Sequence, residues 1–188
     1  MRQKEQKRAY LGSLYPKNKV RIQISNIIQQ RFTHSISAIL LPGSKLEDLS
    51  VLIQQGCVLS MVTCFEHEYE RYLEAVRNMA YFEKFINERV FHNGDVYELM
   101  TTLYPIKHDV IILDWDRPRM VKDKLDITFT IPWLNEGGLL FVSLHNKPRR
   151  TKSQYVGSAT SLSYEMKGVQ SFVEMFTLES GELHSYSG

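Results

Sequence analysis

The sequence predicts an α/β fold, a mostly parallel sheet with helices on both faces, closed by an antiparallel hairpin at the C-terminal end. Three observations predict it. Short apolar runs of strand length recur, as expected of strands buried on both faces. Amphipathic stretches with helical spacing alternate with them across short connectors, which is the pattern of βαβ units. The last residues change character: QSFVEMFTL, then ESGE, then LHSYSG read as two strands joined by a turn at Gly181.

The elements follow in order. VRIQISNIIQQRF places Val20, Ile24, Ile27, Ile28 and Phe32 on one side of a leading helix, while residues 1–16 are too polar to assign. ISAILLPG (Ile36 to Gly43) is the first strand and its turn. SKLEDLSVLIQQG carries Leu46, Leu49, Val51, Leu52 and Ile53 on a helical stripe that stops at Gly56. VLSMVTCFE (Val58 to Glu66) is the second strand. HEYERYLEAVRNMAYFEKFINE repeats Tyr69, Tyr72, Leu73, Val76, Met79 and Ala80 at helical spacing. RVFHNGD (Arg89 to Asp95), DVIILDWD (Asp109 to Asp116) and GGLLFVSLH (Gly137 to His145) are the next three strands, and residues 146–163 read as a basic, Ser-rich loop.

A chain of 188 residues with 43% hydrophobic and 23% charged residues has the length and composition of a single globular domain. We divide it into a basic segment and leading helix, residues 1–35, and a main body, residues 36–188. No apolar run approaches the roughly 18–20 residues of a membrane span, and no targeting segment is expected. Cys57 and Cys64 give neither a disulfide framework nor the ligand spacing of a metal site, which fits a reducing, cytoplasmic setting with no bound metal. The net charge of +2 is unevenly spread. Residues 1–21 hold Arg2, Lys4, Lys7, Arg8, Lys17, Lys19 and Arg21 against Glu5 alone, so the rest of the chain is net acidic. Within that remainder, cations cluster at Arg117, Arg119, Lys122 and Lys124, and at Lys147, Arg149, Arg150 and Lys152.

In a parallel sheet, ligands bind beyond the carboxyl ends of the strands, so residues there are the candidates. The first strand leads into Pro42, Gly43 and Ser44, where a glycine lets backbone approach a ligand at the next helix. The second ends in Glu66 and His67; a carboxylate there can accept from both hydroxyls of a ribose or simply favour the helix N-terminus. The third ends in Asn93-Gly94-Asp95-Val96, with Asp95 able to cap a helix or receive an amino group. The fourth ends in Asp114, Trp115, Asp116, Arg117 and Pro118.

In order and spacing these segments resemble the class I S-adenosylmethionine-dependent methyltransferases. VTCFEHEYERYLEAVRN (Val62 to Asn78) is similar to that family's second-strand segment, HNGDVYELM (His92 to Met100) to the third, DVIILDWDRP (Asp109 to Pro118) to the fourth, and NEGGLLFVS (Asn135 to Ser143) to the turn into the fifth. The resemblance covers Ile36 to Gly188 and implies a Rossmann-like, seven-stranded sheet. It also implies S-adenosylmethionine as cofactor, held by Pro42, Gly43, Ser44, Glu66, His67, Asp95, Val96 and Asp114. The first motif departs from the family: Leu41 stands where an acid is usual, Gly43 is the only glycine, and Lys45 lies where a second is expected.

The resemblance further implies methyl transfer, with Asp114, Trp115, Asp116 and Arg117 at the acceptor and Trp115 placed to stack on a base or to pack beneath the loop; the three basic clusters make a nucleic acid, RNA or DNA, the expected acceptor. A base amine is favoured over a ribose 2′-hydroxyl. The hydroxyl reading draws on Lys19, Asp114 or Asp116, Lys147, and Glu174 or Glu182. No cysteine nucleophile for cytosine C5 chemistry is present in this loop. Lys17, Lys19, Arg119, Lys147, Arg149 and Arg150 are the expected nucleic-acid contacts, because both later clusters follow strands of one parallel sheet and so start from one rim. The rival reading is a catalytically silent domain that binds nucleic acid, a protein partner or a second copy of itself.

Overall fold

Side chains alternate between the two faces of a strand, and a central strand covered on both faces is apolar wherever its side chains find no hydrogen-bond partner. A computed structural model of the chain describes residues 2–114, 120–121, 124–146, 162–166 and 169–188. The elements are α1 (Arg2–Arg31), β1 (Ile36–Leu40), α2 (Glu47–Gln54), β2 (Leu59–Glu66), α3 (Tyr69–Asn78), a 3-10 segment (Met79–Phe85), β3 (Ile86–Asn93), α4 (Val96–Thr102) and β4 (His108–Leu113). There follow a small hairpin of β5 (Met120–Val121) and β6 (Lys124–Leu125), a second 3-10 segment (Thr128–Trp133), β7 (Leu134–Asn146), β8 (Leu162–Met166), β9 (Val169–Glu179) and β10 (Glu182–Ser185).

The main sheet runs β10-β9-β7-β4-β1-β2-β3. The pairs among β7, β4, β1, β2 and β3 are parallel; β9 is antiparallel to β7 and to β10. The expected seven-stranded path and closing hairpin are therefore present. An eighth strand, β8, joins the edge, pairing Leu162 with Val173 through Met166 with Val169. β8 and β10 thus lie end to end along the outer side of β9. LSYEM alternates apolar and polar residues but is short and abuts the basic loop, so periodicity alone does not mark it as a strand. Other boundaries move: α1 continues through the polar residues 2–16, the stripe after β2 divides into α3 and a 3-10 segment and yields its last residues to β3, which begins at Ile86, and β7 begins at Leu134.

The alternation sorts the core in two. Ala38, Leu40, Val110, Ile112, Leu139 and Phe141 face the layer of α1, α2 and α3, where they meet Val20, Ile24, Ile28, Leu49, Leu52 and Ala75. Their neighbours Ile39, Ile111, Leu113, Leu140 and Val142 face α4 and the second 3-10 segment, meeting Val96, Met100, Phe129 and Trp133. Trp133 satisfies its buried indole N–H on the Met100 carbonyl at 2.8 Å. Cys57 and Cys64 are buried free thiols, and burial pushes both upward in pKa, as expected of core filler. Among the described residues no helix is long and apolar enough to cross a membrane.

Polar groups pin the amino ends of the strands. The Asp109 carboxylate accepts from the Ser37 N–H at 2.8 Å, the Ser37 hydroxyl at 3.0 Å and the Asn135 amide at 2.8 Å, tying β1, β4 and β7 together. His108 is fully buried, with Nδ1 2.6 Å from the Ile106 carbonyl and Nε2 2.9 Å from the Thr63 hydroxyl. A carbonyl only accepts, so Nδ1 carries the proton and Nε2 accepts from Thr63. Burial lowers the His108 pKa below 6.5, leaving the imidazole neutral in the folded chain. The unfolded chain then binds the extra proton, so this contribution to stability is full above pH 6.5 and is lost as pH falls. Denaturant unfolding from pH 7 to pH 5 is expected to show a loss of at most about 1.4 kcal/mol per pH unit from this group. The loss should be smaller in His108→Gln, and equal slopes in the two proteins would contradict the assignment.

Candidate functional site

The carboxyl ends of β1, β2, β3 and β4 open into a cavity of about 970 Å³, within the size range of small-molecule sites. The strand order sets its layout. β4 and β1 bring Asp114 and Leu41–Gly43 to one side, while β2 and β3 bring Glu66 and Asp95 to the other.

Gly43 has φ +56°, and the space where a side chain would begin is open, so a ligand can approach its backbone. A second left-handed residue follows at Leu46, φ 53°, rather than at Lys45 where the family resemblance implies a glycine. Left-handed backbone costs a leucine about 1–2 kcal/mol, and full burial of its side chain, worth about 1.5–3 kcal/mol, offsets this. The turn therefore closes with one glycine because the second position serves the core.

Glu66 is 7% exposed. One of its oxygens accepts from the Glu68 N–H at 3.0 Å and lies 3.3 Å from His67 Nδ1, while its own carbonyl accepts from Asn93 Nδ2 at 2.8 Å and Gly94 N–H at 3.1 Å. The carboxylate is thus held at the cavity wall by the Glu68 N–H, and its main-chain carbonyl is tied to the end of β3 by Asn93 and Gly94. Asp95 caps α4, with Oδ1 accepting from Tyr97 N–H at 2.9 Å and Glu98 N–H at 3.1 Å.

α1 supplies the remaining wall. Lys17 and Arg21, one helical turn apart, face the cavity. Lys17 pairs with Asp114 at 2.6 Å, and Arg21 with Asp48 at 2.6 Å and Glu47 at 3.1 Å. Burial alone would raise the pKa of Asp114, but Lys17, the Ser143 hydroxyl and Arg21 together outweigh it and hold the carboxyl below the usual range. For Asp48 burial outweighs Arg21, and its pKa is raised.

Of the expected cofactor residues, Pro42, Gly43, Glu66, His67, Asp95, Val96 and Asp114 line this cavity. Ser44 does not line it; its carbonyl accepts from Asn78. Lys17, expected at an outer rim, sits in the cleft, and Lys19 is exposed on α1. Trp115, Asp116, Arg117, Arg119, Lys147, Arg149 and Arg150 lie outside the described residues. Sequence reasoning missed Arg21, Glu47 and Asp48 as cavity residues. The i, i+4 spacing of Lys17 and Arg21 is a signal for them, but it emerges only when the leading helix extends back through its polar residues. Among the described residues there is no cluster of His, Cys, Asp and Glu able to hold a metal ion.

Solved structures share this fold. A protein from Klebsiella pneumoniae described as a "putative O-methyltransferase" superposes with a TM-score of 0.58 at 11% identity, over 86% of this chain and 80% of its own. One from Pyrococcus horikoshii, described as a "putative RNA methyltransferase", gives 0.57 at 13% identity over 87% and 84%. SMU.776, described as a "putative methyltransferase complexed with SAH", gives 0.53 at 12% identity over 81% of this chain and 48% of its own. The chain therefore has the Rossmann-like fold of class I methyltransferases. No protein-family model and no curated protein matches the sequence.

The double acceptance at Asp95 makes a stability prediction. Asp95→Ala is expected to cost about 1 kcal/mol in denaturant unfolding and Asp95→Ser much less, because serine also caps. Equal losses would mean that the cap contributes nothing.

Proposed function

We propose that the chain binds S-adenosylmethionine in this cleft and transfers its methyl group to a nucleic acid. The observation that carries the reading is Glu66, a nearly buried carboxylate held by the Glu68 N–H at the end of β2 on the wall of a cavity large enough for a nucleoside and its tail. It is placed to accept from both hydroxyls of a ribose, with Asp95 on the next strand for the adenine. The head of α2 argues against a dinucleotide: a pyrophosphate there would meet Glu47 and Asp48 in the first turn.

The bound sulfonium supplies an activated methyl group. The protein's task is alignment, and where the acceptor carries a proton, its removal. Glu66 and Asp95 orient the adenosine half, the open backbone at Gly43 allows close approach, and Asp114 borders the acceptor side. The described cavity is lined by more carboxylates than cations, so a polyanion would bind outside it. The clusters that follow β4 and β7 from the same rim, with the basic residues of the first 21 positions other than Lys17 and Arg21, are the charge we assign to it. The Pyrococcus protein's description as an RNA methyltransferase is consistent with this acceptor class.

A second reading, methylation of a ribose 2′-hydroxyl rather than a base amine, is favoured by the Lys17–Asp114 pair, with Lys17 taking the place expected of Lys19. Mass analysis of nucleosides from methylated RNA separates the two, since the label resides on base or sugar.

Titration with S-adenosylmethionine or S-adenosylhomocysteine is expected to raise stability by about 2.7 kcal/mol at 100 times the dissociation constant. Glu66→Ala should weaken binding by on the order of 100-fold without unfolding the protein. No thermal shift up to millimolar ligand would leave the silent-domain reading. For the acceptor, nucleic-acid affinity should fall steeply with salt, and replacing Arg149 and Arg150 by alanine should flatten the log–log slope by about one for each phosphate that is no longer neutralised. A flat salt response would point to a small-molecule or protein acceptor.

A further inference from the structure

The departure in the first motif leaves the amino-acid end of the ligand without its usual carboxylate at Leu41. A free amino-acid group is a zwitterion, and its site needs a cation and a carboxylate side by side. The wall beside Leu41–Gly43 presents that arrangement. Arg21 donates through Nε to Asp48 Oδ1 at 2.6 Å and through one terminal nitrogen to Asn18 Oδ1 at 3.0 Å, and its other terminal nitrogen forms an ion pair with Glu47 at 3.1 Å. Those contacts leave N–H donors on both terminal nitrogens. The side chains of Arg21 and Asp48 are 10% and 9% exposed, and both residues line the cavity.

We propose that Arg21, Asp48 and Glu47 form an amino-acid subsite, in which the guanidinium receives the ligand's α-carboxylate and the two carboxylates its α-ammonium. The assignment rests on the cofactor reading above and adds to it the residues that replace the missing acid.

Three considerations carry it. Strand order puts the subsite over β1 and β4, while Glu66 and Asp95 lie over β2 and β3, so a nucleoside on the latter pair directs its tail toward α1. A buried ion pair is a poor source of stability, because desolvation consumes most of its attraction, so its place on a cavity wall is better explained by a ligand than by the fold. The pair also spans two helices: Arg21 comes from α1 and its acceptors from the first turn of α2, whose N-terminus favours anions. The lost acid at the strand end is thereby replaced at the head of α2, with a cation brought in from the leading helix.

The test compares two ligands by calorimetry, S-adenosylhomocysteine and 5′-methylthioadenosine, which keeps the nucleoside and lacks the amino-acid group. The native chain should prefer S-adenosylhomocysteine by on the order of tenfold to a hundredfold. Arg21→Met should abolish the preference while leaving 5′-methylthioadenosine affinity unchanged. Because that variant strands Asp48 without its partner, the double variant Arg21→Met/Asp48→Asn is measured beside it, with 5′-methylthioadenosine binding as the check on its fold. The loss of preference in either folded variant supports the subsite. An undiminished preference in the double variant overturns it while leaving the cofactor reading intact. Failure of the native chain to bind either ligand overturns both.

Discussion

Burial of β1 and β4 on both faces is the constraint on which the rest of the structure depends. Ile39 faces one layer and Ala38 and Leu40 the other, and Val110 to Leu113 alternate in the same way. Along Ala38–Leu40 and Val110–Leu113 every side chain is apolar, so recognition chemistry is confined to the positions just past these strands' carboxyl ends. At the amino ends the polar groups serve the sheet: Asp109 bonds to Ser37 and Asn135, and His108 to Thr63 and Ile106. At the carboxyl ends Gly43, Glu66, Asp95 and Asp114 face a cavity. The same physical rule yields a structural rim and a functional one.

The carboxyl rim is completed by α1, which packs Val20, Ile24 and Ile28 into the core and turns Lys17 and Arg21 toward Asp114, Asp48 and Glu47. Two of its basic residues, Lys17 and Arg21, neutralise carboxylates inside the cleft. A leading helix that looks in sequence like an appendage is a wall of the site, and removal of α1 would strand three carboxylates at once.

Much of this is legible in the sequence because the central strands are short apolar runs bounded by Gly, Asp and Glu. Periodicity locates β1, β2, β3, β4 and β7 and helices between them, and the carboxyl ends of the first four then select Gly43, Glu66, Asp95 and Asp114. Legibility fails where local pattern and tertiary role diverge. β8 is an edge strand whose LSYEM pattern is too short to separate from the loop before it. Leu46 adopts a backbone conformation usually given to glycine because the core repays it, so glycine spacing points to Lys45 instead. Arg21 and Asp48 come from elements 27 positions apart, and only the packing of α1 on α2 makes them neighbours.

One orientation of one ligand in the cleft underlies these assignments, and a crystal structure of the chain with S-adenosylhomocysteine tests it directly. The ribose hydroxyls should lie within hydrogen-bond distance of Glu66, the adenine beside Asp95 and the amino-acid end against Arg21 and Asp48. Ligand density elsewhere, or in the cleft with the nucleoside over Asp114 and the tail toward Glu66, would contradict it.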